Sequence, residues 1–475
     1  MIEIVLAIGI PLFHLMGLFS AFHAVMNART SQGSIAWTVS LLLMPYIAVP
    51  AYWILGRSRF NGYVTARRSG DVTIQEKLGQ VMEQVAPYRM PDTEIGASGD
   101  AARRLADLPY LMGNDVQLLV DGDATFDSIL KGIDAATTYI LFQFFIVKDD
   151  EIGRLVKDHL IAKAAAGVKI YFLYDEVGSH DLPDAYKEDL RAAGVKIYDF
   201  HTQKGPRNRF QINFRNHRKV VVVDGKVSWI GGSNVGDEYL GRDPKFGHWR
   251  DTHIRIEGPA TLSVQISFAE DWNWAAGTPI PELVWTPVPS AAGNLPVLIV
   301  PSGPADKLET ATLMFLHAIN SAQKRLWIAS PYFVPDDSIL SALQLAGLRG
   351  VDVRILIPDM ADHLLVYMAA FSFFDDASQT GVRFFRYTDG FLHQKVMLID
   401  DHTATVGTAN FDNRSFRLNF EITGVIADAA FAKEVEQMLE QDFSRSREMT
   451  RADVDNRSFW FTLGSRMARL TSPIQ

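Results

Sequence analysis

The pattern of apolar and polar positions divides the chain into a hydrophobic head and a long body of short buried strands alternating with amphipathic helices. No charged residue occurs from Ile4 to Met26, nor from Gly33 to Gly56. Each run is long enough to cross a hydrocarbon layer of about 30 Å. Two transmembrane helices are therefore expected over residues 1–56. A signal peptide fits less well, because Glu3 stands where a basic start belongs and a second apolar run follows directly. Pro11, Pro45 and Pro50 are compatible with membrane helices, and Trp37 and the pair Tyr52-Trp53 lie near the ends of the second run, where aromatic rings favour the interface. His14 and His23 fall inside the first run and read as helix–helix contacts. Arg29 lies between the runs, whereas Arg57, Arg59, Arg67 and Arg68 follow the second, so the positive-inside bias puts both ends of the chain in the cytoplasm.

Residues 57–107 form a polar connector with a helical piece from Thr73 to Val85 and no recognisable chemistry. Beyond it the periodicity repeats. A buried strand from Thr138 to Phe145, a helix from Glu151 to Ala166 and a strand from Gly167 to Asp175 have counterparts in Arg325 to Val334, Asp337 to Leu348 and Gly350 to Asp359. Ala193-Gly194-Val195-Lys196-Ile197-Tyr198 likewise parallels Thr380-Gly381-Val382-Arg383-Phe384-Phe385. Pro279, Pro281, Pro287, Pro289 and Pro296 mark a linker. The strand, helix, strand order predicts an α/β fold made by duplication, with lobes at 108–290 and 291–475. A helix beginning at His363 carries Phe371, Phe373 and Phe374, which read as core.

Composition narrows the function. A hydrophobic fraction of 48% over 475 residues supports a large core, and the net charge of −9 argues against a general nucleic-acid binder. With no cysteine, disulfides and thiolate metal sites are excluded.

The candidate chemistry is also doubled. His217, Lys219 and Asp224 read His-x-Lys-x4-Asp, as do His393, Lys395 and Asp400. After six further residues each copy reaches a small-residue turn ending in asparagine, Gly231-Gly232-Ser233-Asn234 and Gly407-Thr408-Ala409-Asn410. Strand alternation projects each His and Lys to one face, while Asp224-Gly225 is a hairpin turn that carries the Asp away from them. A phosphodiester is an anion that repels nucleophiles, so fixed cations and donors must surround it. Lys219 and Lys395, aided by Asn234 and Asn410, fit that need, and one imidazole can attack phosphorus while the other protonates the leaving alkoxide. Asp251 and Glu421, downstream of the two copies, are candidates to hydrogen-bond the far imidazole nitrogens. Arg414 is a candidate phosphate or structural contact. His248 and His253 flank Asp251 without a partner at metal-ligand spacing, so neither metal nor cofactor is expected.

The doubled motif matches the signature of the phospholipase D superfamily, and the chain resembles bacterial cardiolipin synthases of that type over nearly its whole length. The phrases that carry the resemblance are Ile35-Ala36-Trp37, Tyr52-Trp53-Ile54-Leu55-Gly56-Arg57, Gly232-Ser233-Asn234-Val235-Gly236-Asp237-Glu238-Tyr239, Trp249-Arg250-Asp251-Thr252-His253 and Ser302-Gly303-Pro304. It implies two phospholipase D-type lobes, mixed sheets flanked by helices and related by a pseudo-twofold axis, that share one active site. It also implies transfer of a phosphatidyl group between two phosphatidylglycerol molecules through a phosphohistidine, at the bacterial inner membrane. In the family's usual order His217 is the nucleophile and His393 the acid. A hydrolase or transphosphatidylase using another alcohol is the alternative, and a membrane-tethered nuclease a more distant one.

Overall fold

The computed structural model describes residues 2–56, 60, 63, 79–201 and 213–475. Three helices open the chain, α1 (Ile2–Asn27), α2 (Ser31–Leu43) and α3 (Pro45–Leu55). Within α1, Gly9–Asn27 is long and apolar enough to cross a membrane. The run expected as one uninterrupted second span is instead two helices that meet at Met44, whose backbone leaves the helical region (φ −133°, ψ 55°). Pro45 explains the break, since its ring disfavours helical backbone in the residue before it and it has no N–H to donate. The three helices pack through small residues. Ala21 and Ala24 meet Leu41, Ala48, Val49 and Tyr52, and a Cβ on Gly17 would lie 2.5 Å from the Leu41 carbonyl oxygen. His23 Nδ1 lies 2.7 Å from the Tyr52 hydroxyl and His14 Nε2 3.2 Å from that of Tyr46, so both histidines bridge helices. Leu15, Leu18, Phe19 and Phe22 face outward. The basic residues Arg57, Arg59, Arg67 and Arg68 lie outside the described residues, as does most of the helix expected from Thr73; residues 79–84 are helical.

After α4 (Asp92–Ala106), the first half of the body runs β1 (Leu111–Val120), α5 (Asp121–Ala135), β2 (Tyr139–Phe144), α6 (Glu151–Ala165), β3 (Lys169–Asp175), α7 (Asp184–Ala192), β4 (Lys196–Phe200), β5 (Arg215–Asn216), β6 (Val220–Val223), β7 (Val227–Gly231), β8 (Trp249–Arg250), β9 (Thr252–Glu257) and α8 (Thr261–Ala276). The second half runs β10 (Leu295–Ser302), α9 (Thr310–Ser321), β11 (Arg325–Ala329), β12 (Phe333–Val334), α10 (Asp337–Leu348), β13 (Asp352–Pro358), α11 (Leu364–Ser378), β14 (Arg383–Tyr387), β15 (Phe391–Leu392), β16 (Val396–Ile399), β17 (Thr403–Gly407), β18 (Phe411–Asp412), α12 (Asn413–Arg417), β19 (Asn419–Ile426), α13 (Ala429–Ser444), β20 (Ser446–Glu448), α14 (Arg451–Asp455) and α15 (Phe459–Arg469). The strand expected from Arg325 to Val334 is divided at Ser330-Pro331, because proline cannot donate to a ladder. Phe371, Phe373 and Phe374 are buried in the core.

Both halves contribute to one mixed sheet. Its order is β20-β14-β13-β11-β16-β17-β19-β10-β1-β9-β7-β6-β2-β3-β4, and leaving out β20 it is a palindrome about the β10–β1 pair. That pair is antiparallel, so the halves are joined edge to edge by backbone hydrogen bonds. Central strands such as β2 and β19 are buried along their whole length; β2 is apolar but for Gln143, whereas β19 also buries Asn419, Glu421 and Thr423.

Asp224 and Asp400 occupy the turns after β6 and β16 with left-handed backbone (φ 53° and 52°). Asp224 accepts from the backbone N–H of Thr137, Thr138 and Tyr139 and from both threonine hydroxyls. Asp400 accepts from the N–H groups of Gln323, Lys324 and Arg325. Each aspartate thus fastens a hairpin turn to the start of the neighbouring strand, about 16 Å from the lysine of its motif at strand rise. Asp224→Ala and Asp400→Ala remove these bonds and put a less tolerant residue at positive φ. Each is expected to cost about 2–4 kcal/mol, with a larger loss of melting temperature than His217→Ala or His393→Ala in circular dichroism. Melting temperatures within a degree or so of wild type would overturn this structural role.

Candidate active site

The two motifs converge because each is stitched to the other half. β5 pairs in parallel with β19, setting Asn216 opposite Phe420, and β8 pairs in parallel with β15, setting Arg250 opposite Leu392. One residue further on, each histidine N–H donates across the junction, His217 to the Phe420 carbonyl (3.0 Å) and His393 to that of Arg250 (2.8 Å). His217 to Lys219 therefore do not extend β6 as strand alternation suggested; they cross between the halves before the ladder begins.

This register brings each imidazole to the carboxylate of the opposite half. His217 Nδ1 lies 3.0 and 2.9 Å from the two Glu421 oxygens, and His393 Nδ1 lies 2.8 Å from Asp251 Oδ2. Both carboxylates are fully buried. Glu421 also accepts from the Thr408 and Ser415 hydroxyls (2.6 and 2.8 Å) and from Asn419 Nδ2 (3.2 Å), and Asp251 accepts from the Thr252 N–H (2.8 Å). Position 232 must be glycine, since a Cβ there would come within 2.0 Å of Asp251 Oδ1. The corresponding Thr408 instead supplies a hydroxyl to Glu421.

The lysines point inward as well. Lys219 Nζ donates to the His217 carbonyl (2.7 Å), and Lys395 Nζ contacts the His393 carbonyl and lies 2.9 Å from its Nδ1. Burial dominates the titration of this cluster. It pushes His217 down to about 4 against the pull of Glu421, and pushes His393 down to about 4 with the help of the Lys395 charge. Burial also takes Lys395 down to about 8 and Lys219 well below its ordinary value. The carboxylates move down despite burial, Asp251 to about 2 under Lys395 and His393, and Glu421 under His217 and Lys219. At neutral pH the pocket therefore holds ionised carboxylates and neutral imidazoles. A carboxylate at Nδ1 directs that proton outward and leaves the Nε2 lone pair free.

The remaining expected residues fall around this core. Asn234 is committed internally, accepting from the Ile146 N–H and donating to the Tyr239 hydroxyl. Asn410 donates its backbone N–H to Ser415, and its side-chain oxygen is buried without a partner. Arg414 sits on the structural side of its alternative: its guanidinium holds the Asn213 backbone and side-chain oxygens and the Ile474 carbonyl. His248 pairs with Asp121 (2.9 Å), while His253 is buried beside the Ser233 N–H. Among the described residues no three His, Asp or Glu side chains are grouped to hold a metal ion.

Two buried ion pairs beneath the site were missed in the sequence. Arg218 binds Asp271 with Nη1 at 2.8 and 2.9 Å, where Gln143, Asn216 and Tyr63 also converge. Arg250 binds Asp442 through Nε and Nη2 (2.7 and 2.9 Å), joined by Gln394. The available signal was an aspartate on the apolar face of each of two helices, Asp271 beside Trp272 and Asp442 beside Phe443.

Residues 129–272 and 315–443 match the family described as cardiolipin synthase, phospholipase D-like domain, and residues 16–57 match that described as phospholipase D-nuclease N-terminal. The chain is 48% identical to cardiolipin synthase A of Pseudomonas fluorescens and 49% identical to that of Pseudomonas entomophila, in each case over 98% of this chain and 97% of the relative. The chain belongs to the cardiolipin synthase family. Its fold is similar to that of the phosphatidylserine synthase of Haemophilus influenzae, with a TM-score of 0.57 at 16% identity over 80% of this chain and all of that one. Family membership and the apolar α1 together make the protein membrane-associated.

The lowered imidazoles carry a sign for stability. As pH falls below about 6.5 the unfolded chain protonates its histidines, while His217 and His393 resist until about 4 and His253, also lowered by burial, until about 3. These three histidines add no pH dependence above about 6.5, and beneath it each lowers stability by about 1.4 kcal/mol per pH unit, a loss that the raised carboxyls of Asp175 and Asp412 oppose below about 6. Unfolding free energy measured from about pH 6.5 to about 4.5 should respond accordingly, and His253→Gln should remove about 1.4 kcal/mol per pH unit from the histidine contribution. An unchanged slope would remove His253 from the buried neutral set.

Proposed function

We propose that the protein is a cardiolipin synthase that moves a phosphatidyl group from one phosphatidylglycerol to another, releasing glycerol. The observation that supports this best is the exchange of carboxylates, which gives one pocket two imidazoles oriented alike and two lysines beside them. His217 is the better nucleophile. Its Nδ1 faces Glu421 alone, whereas His393 Nδ1 lies between Asp251 and the Lys395 ammonium.

In the proposed reaction the Nε2 lone pair of His217 attacks the donor phosphorus. The bond to the glycerol headgroup breaks, and the departing oxygen takes a proton from His393. A phosphodiester anion between the lysines offsets their charge and so favours the His393 imidazolium that this step needs. A hydroxyl of the second phosphatidylglycerol then returns its proton to His393, attacks the phosphohistidine and frees His217. Lys219 and Lys395 stabilise the charge on the phosphoryl oxygens. Asp224 and Asp400 act through the framework. We further read α2 and α3 as a hairpin that turns back at Met44: Tyr46 and Tyr52 of α3 meet His14 and His23 of α1 in the same order, so α3 runs parallel to α1 and returns to the side on which Arg29 pairs with Glu309 of the body, which we place in the cytoplasm. The acidic balance favours a lipid over a nucleic-acid substrate.

Purified protein in mixed micelles with labelled phosphatidylglycerol should yield cardiolipin and free glycerol. Phosphatidic acid as the main product would replace this reading with a hydrolase. His217→Ala and His393→Ala should each lower turnover by at least about 1,000-fold with the fold retained, and a phosphatidyl adduct trapped on His393 would reverse the assigned order. Chelators should leave most activity, because fixed lysines supply the positive field; loss restored by added magnesium or zinc would overturn that point.

A further inference from the structure

The C-terminal helix α15 carries two apolar faces. One packs on α11: Phe461 meets Phe371 at 5.2 Å between ring centroids, a Cβ on Gly464 would lie 2.5 Å from the Met368 methyl, and Arg469 stacks on Phe373 while pairing with Asp376. The other face, Trp460, Leu463, Met467 and Leu470, follows the i, i+3, i+7, i+10 spacing of a single helical stripe. It is open, with Trp460 76%, Met467 60% and Leu470 79% exposed, and Phe459 is exposed at its edge. Arg466 is exposed between Leu463 and Met467.

The first turn of α11 continues this character at the mouth of the candidate active site. Leu364, Leu365 and Met360 are exposed there, flanking Asp362. The Asp362 carboxylate receives the Tyr332 hydroxyl and acts electrostatically on Lys395 and Tyr239. Scattered apolar residues on a surface need no explanation, but an ordered stripe of four with a tryptophan at one end does.

What covers the stripe follows from how the helix is anchored. Arg29, just beyond the end of α1, pairs with Glu309 (2.5 Å), and Glu309 pairs in turn with Arg417 of α12 (3.2 Å). At the other end of α12, Arg414 holds the Ile474 carbonyl (3.1 Å), and its N–H donates to the Gln475 carbonyl (2.6 Å), a few residues past the end of α15. A five-residue helix is only about 7.5 Å long, so the segments that leave α1 and α15 attach to the protein almost side by side. The lipid-crossing helix and the amphipathic helix thus meet the body at one place.

We infer that α15, together with the first turn of α11, lies in the surface of the lipid bilayer and seats the mouth of the active site against it. Trp460, Leu463, Met467 and Leu470 enter the acyl boundary, and Arg466 reaches anionic phosphates at the headgroup level. Beyond the proposed function, this explains how a buried pocket reaches a phosphorus atom that stays at the membrane surface while its acyl chains remain in lipid.

The test uses the full chain in lipid nanodiscs containing phosphatidylglycerol with brominated acyl chains. The contribution of Trp460, obtained as wild type minus Trp460→Phe, should be blue-shifted and quenched at least about twofold. An unquenched difference with emission typical of water overturns the inference. The double variant Leu463→Asp, Met467→Asp should lose about tenfold or more in turnover of bilayer phosphatidylglycerol, with turnover of monomeric short-chain phosphatidylglycerol within about twofold of wild type. Equal loss on both substrates would make α15 only part of the fold. A dimer that this variant dissociates, with Trp460 unquenched, would give the stripe to a second copy of the chain. Quenching requires no turnover, so failure of the proposed reaction and failure of this inference are distinguishable.

Discussion

The structure depends on the exchange of carboxylates between its halves. Glu421 at His217 and Asp251 at His393 are the acceptors for imidazoles that the other half delivers, and all four side chains lie out of water. The strongest anion acting on Lys219 is Glu421 and on Lys395 is Asp251, so each buried lysine, like each imidazole, is compensated chiefly by the carboxylate of the opposite half. Folding of the core and assembly of the pocket are therefore one event, because the charges of the pocket are balanced only when the β1–β10 edge is formed and β5 and β8 have found their strands across the junction.

Under that symmetry lies an exception with the same physics. Asp271 and Asp442 occupy matching helices, and each is met by a buried arginine. Both arginines come from the first half: Arg218, inside its motif, meets Asp271 of the same half, and Arg250, just before the exchanged carboxylate, meets Asp442 of the other. The matching places hold Gln394 and Phe420, the second beneath the Arg218 guanidinium. What persists between the halves is a compensated buried charge under each histidine, and the position that supplies the cation is free to change.

Much of this was legible in the residues, and the gaps have physical causes. Two copies of His-x-Lys-x4-Asp with the same glycine sequel imply a shared pocket, and Asp224-Gly225 marks a turn that the positive φ of Asp224 bears out. Asp251 and Glu421 stand out as acids downstream of each copy, yet spacing within a half cannot say which half an acid faces; that depends on the one-residue register of β5 and β8. The break at Met44 was visible as Pro45 but was outweighed by unbroken hydropathy. Arg414 carries no local mark of its task, since its partners Asn213 and Ile474 are distant in the chain. The same is true of Arg218 and Asp271, 53 positions apart.

The palindromic sheet also governs the geometry of the pocket. The two halves are joined through β9, β1, β10 and β19, hydrogen-bonded in that order, so they meet across backbone ladders as well as through the linker between them. A cleft between loosely tethered domains can gape, whereas halves that share a sheet can part only by breaking its backbone hydrogen bonds. The spacing of the two imidazoles is therefore set by the sheet and not by the pose of two movable bodies.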